Sequence, residues 1–137
     1  MNAVNAYSQY RQTAVQTSSP EKLLLMLYDG AIRFLGQAIK AIEENDVAGR
    51  NTNLLKAQDI VREFMSTLNM DYEISNNLLG LYDFFLQRLI EANVKNDKEI
   101  IQEVQGWLIE LRDTWTEASK ATKPVRDQSG QINIAAG

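Results

Sequence analysis

Apolar side chains recur every three or four residues through four blocks of the chain, which is the spacing of one face of an α-helix. In the first block the repeat runs through Leu24, Leu27, Tyr28, Ala31, Leu35, Ala38 and Ile42. Leu54, Ala57, Val61, Phe64 and Leu68 carry it in the second, and Leu78, Tyr82, Phe85, Leu89 and Ala92 in the third. The fourth has Ile101, Val104, Leu108, Leu111, Trp115 and Ala118. Polar punctuation separates the blocks. Ser19 is placed to cap the first helix, with Pro20 at the first helical position, where a missing N–H costs nothing. Ser18 with Glu21 offers an alternative capping box. That helix is expected to end near Asn45, and Asp46 caps a second that runs to about Leu68. Residues 69–72 connect to a third helix over 73–95. Asn96 with Glu99 forms a capping box for the fourth, Asp97 is a rival cap, and Pro124 is expected to stop that helix.

Four helices of about twenty residues joined by short connectors predict an all-α protein, an antiparallel up-down four-helix bundle. The repeat of about 3.5 residues favours shallow left-handed crossings. Residues 1–18 read as an N-terminal cap or docking segment, 19–123 as the bundle, and 124–137 as a flexible tail without sustained period. The strings LMLYD at 25–29 and LGLYD at 79–83 echo one another. Coincidence or the shared demands of helix packing account for that better than duplication does.

The blocks carry more apolar side chains than one face needs. A bundle helix uses an apolar face about three-sevenths wide. Residues 23–28 are apolar all round for more than a turn, and Leu78, Leu79, Leu81, Tyr82, Phe84, Phe85 and Leu86 follow almost in succession. Either the core is thick with a few apolar residues on the surface, or the surplus lines a groove for a partner's amphipathic segment. The N-terminal segment bears on the second reading. Val4, Tyr7 and Tyr10 sit on a weakly amphipathic stretch that cannot stay helical alone. It is expected to dock on the bundle or to be disordered.

Composition narrows the chemistry. The chain has 137 residues, 45% of them apolar, and no Cys or His. Thiol chemistry, disulfides, Ser–His or Cys–His catalysis and histidine-bearing metal sites are thereby excluded. The net charge of −4 lacks the basic footprint of a nucleic-acid binder. Arginines are dispersed among acids and read as solvated faces. Asp29 and Asp83 each follow a Tyr, but no second element of an active site accompanies them, so they face solvent or bond within the bundle. No cofactor or metal is expected, and the protein is not an enzyme. Isolated glycines such as Gly30, Gly80 and Gly106 fall inside predicted helices, where each costs up to about 1 kcal/mol relative to Ala. They permit close packing of the bundle's own helices or floor a groove. The N-terminus lacks a basic start followed by an apolar run, and the longest apolar run is too short to span a bilayer. A cytoplasmic location is expected.

The ordered series of local strings resembles the FliS family of flagellin-specific export chaperones. It comprises YSQY at 7–10, VQTSSPEKLLLMLYDGAIRF at 15–34, NLLKAQDI at 53–60, LYD at 81–83, RLIEANVKND at 88–97, EV at 103–104 and LRDTW at 111–115. Ser18 departs from the alanine usual before Ser-Pro. The resemblance covers residues 4–118 and implies a four-helix bundle. It further implies binding of the disordered C-terminal segment of flagellin, which becomes helical on contact and is kept from polymerising. The complex is then delivered to the cytoplasmic domain of the flagellar type III export gate. Val4 and Tyr7 match the positions used for that docking, and with Tyr10 they belong to the piece that covers the groove in the empty protein. Leu24, Tyr28, Ile60, Phe64, Leu78, Tyr82 and Phe85 are expected near the flagellin groove. A rival reading is a self-associating helical adaptor, whose spare apolar face is a homodimer interface. The expected oligomeric state is monomer or weak dimer.

Overall fold

The computed structural model describes residues 19–129, with side chains through Lys120. Among these, four helices are present: α1, Pro20–Glu43; α2, Val47–Thr67; α3, Glu73–Lys95; and α4, Lys98–Ser129. Each packs on its neighbours in a ring, α1 on α2 and α4, and α3 on α2 and α4. The connectors at 44–46, 68–72 and 96–97 are too short for anything but reversal of direction, so the bundle is up-down and all-α as expected.

The ends are set by local chemistry. The Ser19 hydroxyl accepts from Lys22 N–H at 3.4 Å, and Pro20 begins the helix. Asp46 caps α2 by accepting from Gly49 N–H at 2.9 Å. A side chain at residue 49 would collide with that carboxylate, so glycine there keeps the cap in reach. Two asparagines, Asn45 and Asn96, take positive φ of 58° and 54°. Asn tolerates this left-handed region better than other side chains do. After α1, Asn45 N–H bonds to Ile42 O and Asp46 N–H to Ala41 O, the paired bonds of a Schellman ending.

Two sequence expectations are corrected here. The cap of α4 is Asp97, whose carboxylate accepts from Glu99 and Ile100 N–H at 3.0 and 3.3 Å. Asn96 cannot form the capping box because it is the left-handed residue ending α3, and its side chain accepts from Arg50 at 2.6 Å. Pro124 does not stop α4, which continues to Ser129. Proline's own φ is helical, and near a helix end it removes a single hydrogen bond that a slight bend accommodates.

The core lies along the ring's axis. Leu35, Ala38, Leu54, Ala57, Ile60, Val61, Leu89, Ala92, Ile101, Val104 and Leu108 are all inaccessible to solvent. On the seam between α1 and α4, Gln105 Nε2 donates to Ile32 O at 3.1 Å. Gly30 is buried within the bundle, as the packing reading requires. Gly80 and Gly106 are not: a Cβ at either meets nothing within 4 Å. Packing between the bundle's own helices therefore explains the first glycine and not the other two.

Candidate binding cavity

Part of the apolar surplus gathers at one end of the bundle. There α1 begins, α2 ends, α3 begins and the second half of α4 passes by, because successive helices alternate in direction. A cavity of about 660 Å³ opens among them. Pro20, Leu23, Leu24 and Leu27 of α1 form one wall, and Phe64 and Thr67 of α2 another. The connector adds Leu68, Asn69 and Tyr72, α3 adds Ile74, Ser75, Leu78 and Tyr82, and α4 adds Trp115. The connector is braced from inside. Ser75 Oγ donates to Asn69 O at 2.6 Å, and Asp71 N–H donates to the Asn69 side chain at 3.0 Å.

The floor is aromatic. Tyr28 stacks on Phe64 with ring centroids 4.5 Å apart, and Phe64 lies 5.2 Å from Tyr82. Tyr82 meets Phe85 edge-on at 6.4 Å, and Phe85 stacks on Trp107 at 5.5 Å. This chain of rings crosses all four helices, and offset and edge-on pairs of this kind add to plain area burial. Beneath the cavity the hydroxyls of Tyr28 and Tyr82 are 2.5 Å apart, and Trp115 Nε1 donates to the Tyr28 oxygen at 3.1 Å. The two tyrosines of the LxLYD echo thus meet across the bundle. Burial raises the pKa of both phenols, and for Tyr28 the neighbouring Tyr82 adds to the effect, so both are neutral at physiological pH.

A second cavity of about 270 Å³ lies further along the α3–α4 seam, between Leu81, Phe84 and Phe85 on one side and Trp107, Leu111 and Thr114 on the other. Phe84 remains 45% exposed although it touches Trp107 at 5.5 Å. The two cavities are about one helical turn apart, since Leu78 and Trp115 line the first and Leu81 and Leu111 the second. Both are apolar, and the second lies on the α3–α4 seam. At its far end Arg88 pairs with Glu91 at 2.8 Å on its own helix and with Glu103 of α4 at 3.6 Å.

The predicted groove residues divide. Leu24, Phe64, Leu78 and Tyr82 share the larger cavity, and Phe85 lines the smaller one. Tyr28 and Ile60 have no solvent exposure and belong to the core. Val4, Tyr7 and Tyr10 lie outside the described residues. Asp29, weighed as a candidate carboxylate, is paired on the surface with Arg112 at 3.0 Å, and Asp83 is exposed. Sequence reasoning missed Leu23, Leu68, Ile74 and Trp115 as cavity walls. Trp115 carried a signal, because an indole N–H on an otherwise apolar seam needs a partner. Leu68 and Tyr72 carried none, because a connector's path decides what it covers, and Ile74 is in the first turn of α3, which that path positions.

Fold and cavity together define an all-α four-helix bundle with an apolar cavity open at one end. A family model described as "Flagellar protein FliS" matches residues 3–122. A flagellar secretion chaperone FliS of Bacillus subtilis is 41% identical over 128 residues, covering 93% of this chain and 96% of that protein. The Salmonella typhimurium protein of the same name is 35% identical over 123 residues, 86% of this chain and 90% of its own. Campylobacter jejuni has another, 34% identical over 114 residues, 82% and 89% of the respective chains. The chain belongs to the FliS family, a family of flagellar export chaperones and not of enzymes. No helix among the described residues is long and apolar enough to cross a membrane.

Proposed function

We propose that this chaperone acts in the bacterial cytosol, where it binds the disordered C-terminal segment of flagellin along an apolar furrow that links the two cavities. It thereby prevents premature polymerisation and delivers flagellin to the flagellar type III export gate. The observation that carries the proposal is the 660 Å³ cavity, walled by all four helices and floored by Phe64 and Tyr82. A disordered, apolar end of flagellin needs a temporary apolar partner. A segment that folds on binding loses about 2–5 kcal/mol to ordering. Three or four large apolar side chains seated in the cavity at about 1.5–3 kcal/mol each more than offset that loss.

The N-terminal segment acts as the cap and the docking element. Residue 19 adjoins Pro20, which stands in the cavity wall, so the chain enters the bundle at the mouth. Extended chain spans about 3.3 Å per residue, so residues 1–18 reach across the cavity with length to spare. Tyr7 and Tyr10 cover the furrow until flagellin displaces them, and Val4 and Tyr7 then contact the export gate.

Isothermal titration of the full chain with the C-terminal segment of the cognate flagellin tests this reading. Near one-to-one binding with a gain in helical circular dichroism is expected. A deletion of residues 1–17 should stay folded and bind more tightly, since the competitor is gone. Tyr7→Ala should weaken gate docking more than flagellin binding. Absence of any binding heat, or a tight dimer in sedimentation that excludes the segment, refutes the reading and favours the self-associating adaptor.

A further inference from the structure

The proton count of the hydroxyl cluster beneath the cavity does not close. Three donors meet there: Trp115 Nε1–H and the hydroxyls of Tyr28 and Tyr82. Two hydrogen bonds join them, Trp115 to Tyr28 at 3.1 Å and Tyr28 with Tyr82 at 2.5 Å. One hydroxyl proton is left over. If Tyr82 donated to Tyr28, the surplus proton would sit on Tyr28, which has no solvent exposure and, among the described residues, no other acceptor. A buried, unsatisfied donor is costly. The favoured order is therefore a relay in which Trp115 donates to Tyr28, Tyr28 to Tyr82, and Tyr82 into the cavity that it lines. Tyr82 is only 2% exposed, so its proton serves whatever occupies that space.

Of the other hydroxyls of the lining, that of Tyr72 belongs to a side chain 39% exposed at the rim, where water satisfies it, and the remaining two are already spent. Thr67 Oγ1 donates to Glu63 O at 3.0 Å, and Ser75 Oγ donates to Asn69 O at 2.6 Å. The Glu63 carboxylate is an acceptor, and Asn69 sits exposed at the rim. Among the described residues, Tyr82 is thus the buried donor of the cavity floor, and Tyr72 and Asn69 are wet donors at its rim.

We propose that the Tyr82 hydroxyl is a specificity determinant, selecting a bound segment that carries one side-chain oxygen acceptor on its otherwise apolar face. The proposal rests on the flagellin reading above and adds to it which sequences fit. A ligand that turns helical pairs its own backbone carbonyls, so the acceptor is the side chain of an Asn, Gln, Ser or Thr. A uniformly apolar segment would strip water from the Tyr82 hydroxyl and return nothing, whereas one with a matching oxygen satisfies it. Burial keeps the phenol protonated at neutral pH, so the donor is present whenever the protein is folded.

A double-mutant cycle tests this with the full chain and the C-terminal segment of the cognate flagellin, read by isothermal titration. On the protein side the variant is Tyr82→Phe, with its circular dichroism checked for retained helix. On the ligand side each Asn, Gln, Ser and Thr is changed in turn to Leu, Met, Ala or Val. Tyr82→Phe is expected to weaken binding about tenfold. One ligand substitution should weaken binding to the wild type by a similar factor and have no further effect on Tyr82→Phe. Equal affinity of Tyr82→Phe and wild type, or additive losses throughout, overturns the proposal while leaving the flagellin reading intact. Should Tyr82→Phe fail to fold, the ligand series on the wild type decides alone: no single polar residue whose loss weakens binding means no acceptor is selected. A wild type that binds none of the segments refutes the flagellin reading and this inference with it.

Discussion

Removing the Tyr28 hydroxyl should unfold the bundle's order of dependence in a measurable way. Tyr28→Phe keeps the ring that stacks on Phe64 at 4.5 Å and deletes the oxygen that both joins Tyr82 and accepts from Trp115. Each bond is worth about 0.5–1.5 kcal/mol net, so the loss is about 2 kcal/mol. For a chain of this size that lowers Tm by roughly 4–8 °C. Tyr82→Phe alone breaks one bond but strands the buried Tyr28 proton, at about 1–2 kcal/mol. The double variant is the informative one. Once Tyr28 lacks its oxygen, the Tyr82 hydroxyl keeps only the Trp115 indole N–H beside it, so deleting it costs less than it does in the wild type. Tyr28→Phe/Tyr82→Phe should therefore lose less than the sum of the two single losses, a coupling of about 1 kcal/mol. Urea unfolding followed by circular dichroism at 222 nm, with tryptophan fluorescence as a second probe, measures all four proteins. Strict additivity of the two single losses would falsify the relay, and a Tyr28→Phe as stable as wild type would show that the hydroxyls contribute nothing net.

Four further outcomes follow from the same structure. Both phenols have folded pKa values above the ordinary 10.0 of the unfolded chain. Their contribution is therefore intact below pH 10 and declines as pH rises above it, at up to about 1.4 kcal/mol per pH unit per tyrosine, with the double Phe variant showing a shallower alkaline decline in urea titrations. Gly80→Ala and Gly106→Ala meet open space, so each should stabilise the bundle by up to about 1 kcal/mol in the same assay; a loss of stability would expose a packing role that the structure does not show. Leu78→Asp, at a half-buried cavity wall, should abolish binding of the flagellin segment while the helix signal persists. Ile60→Ala, inside the core, should cost about 2–5 kcal/mol of stability and leave the affinity of the folded fraction unchanged. The reverse pattern would mean that core and cavity have been assigned to the wrong residues.

Helix number, order and approximate ends were readable from the chain because they depend on contacts within a few residues. The 3.6-residue period and caps such as Ser19 and Asp46 act locally, and the structure places those elements where the pattern does. Legibility failed where two local solutions compete. Asn96 and Asp97 both cap well on paper, and only the left-handed turn ending α3 decided for Asp97. Proline at 124 breaks helices on average, yet α4 runs through it.

The sequence by itself also determined that apolar residues were in surplus, that no cysteine or histidine chemistry was available, and which family the chain resembles. Tertiary structure alone decided where the surplus went. Tyr28 and Phe64 look alike in the pattern, but the alternation of helix direction set Tyr28 wholly inside and gave Phe64 an edge on the cavity. Leu24, Leu68, Ile74 and Trp115 come from distant stretches and share one space only because three helix ends meet there beside the passing α4. Periodicity reports which face of a helix turns inward, whereas a cavity is a property of how several helices fail to close on one another, and no single stretch encodes that gap.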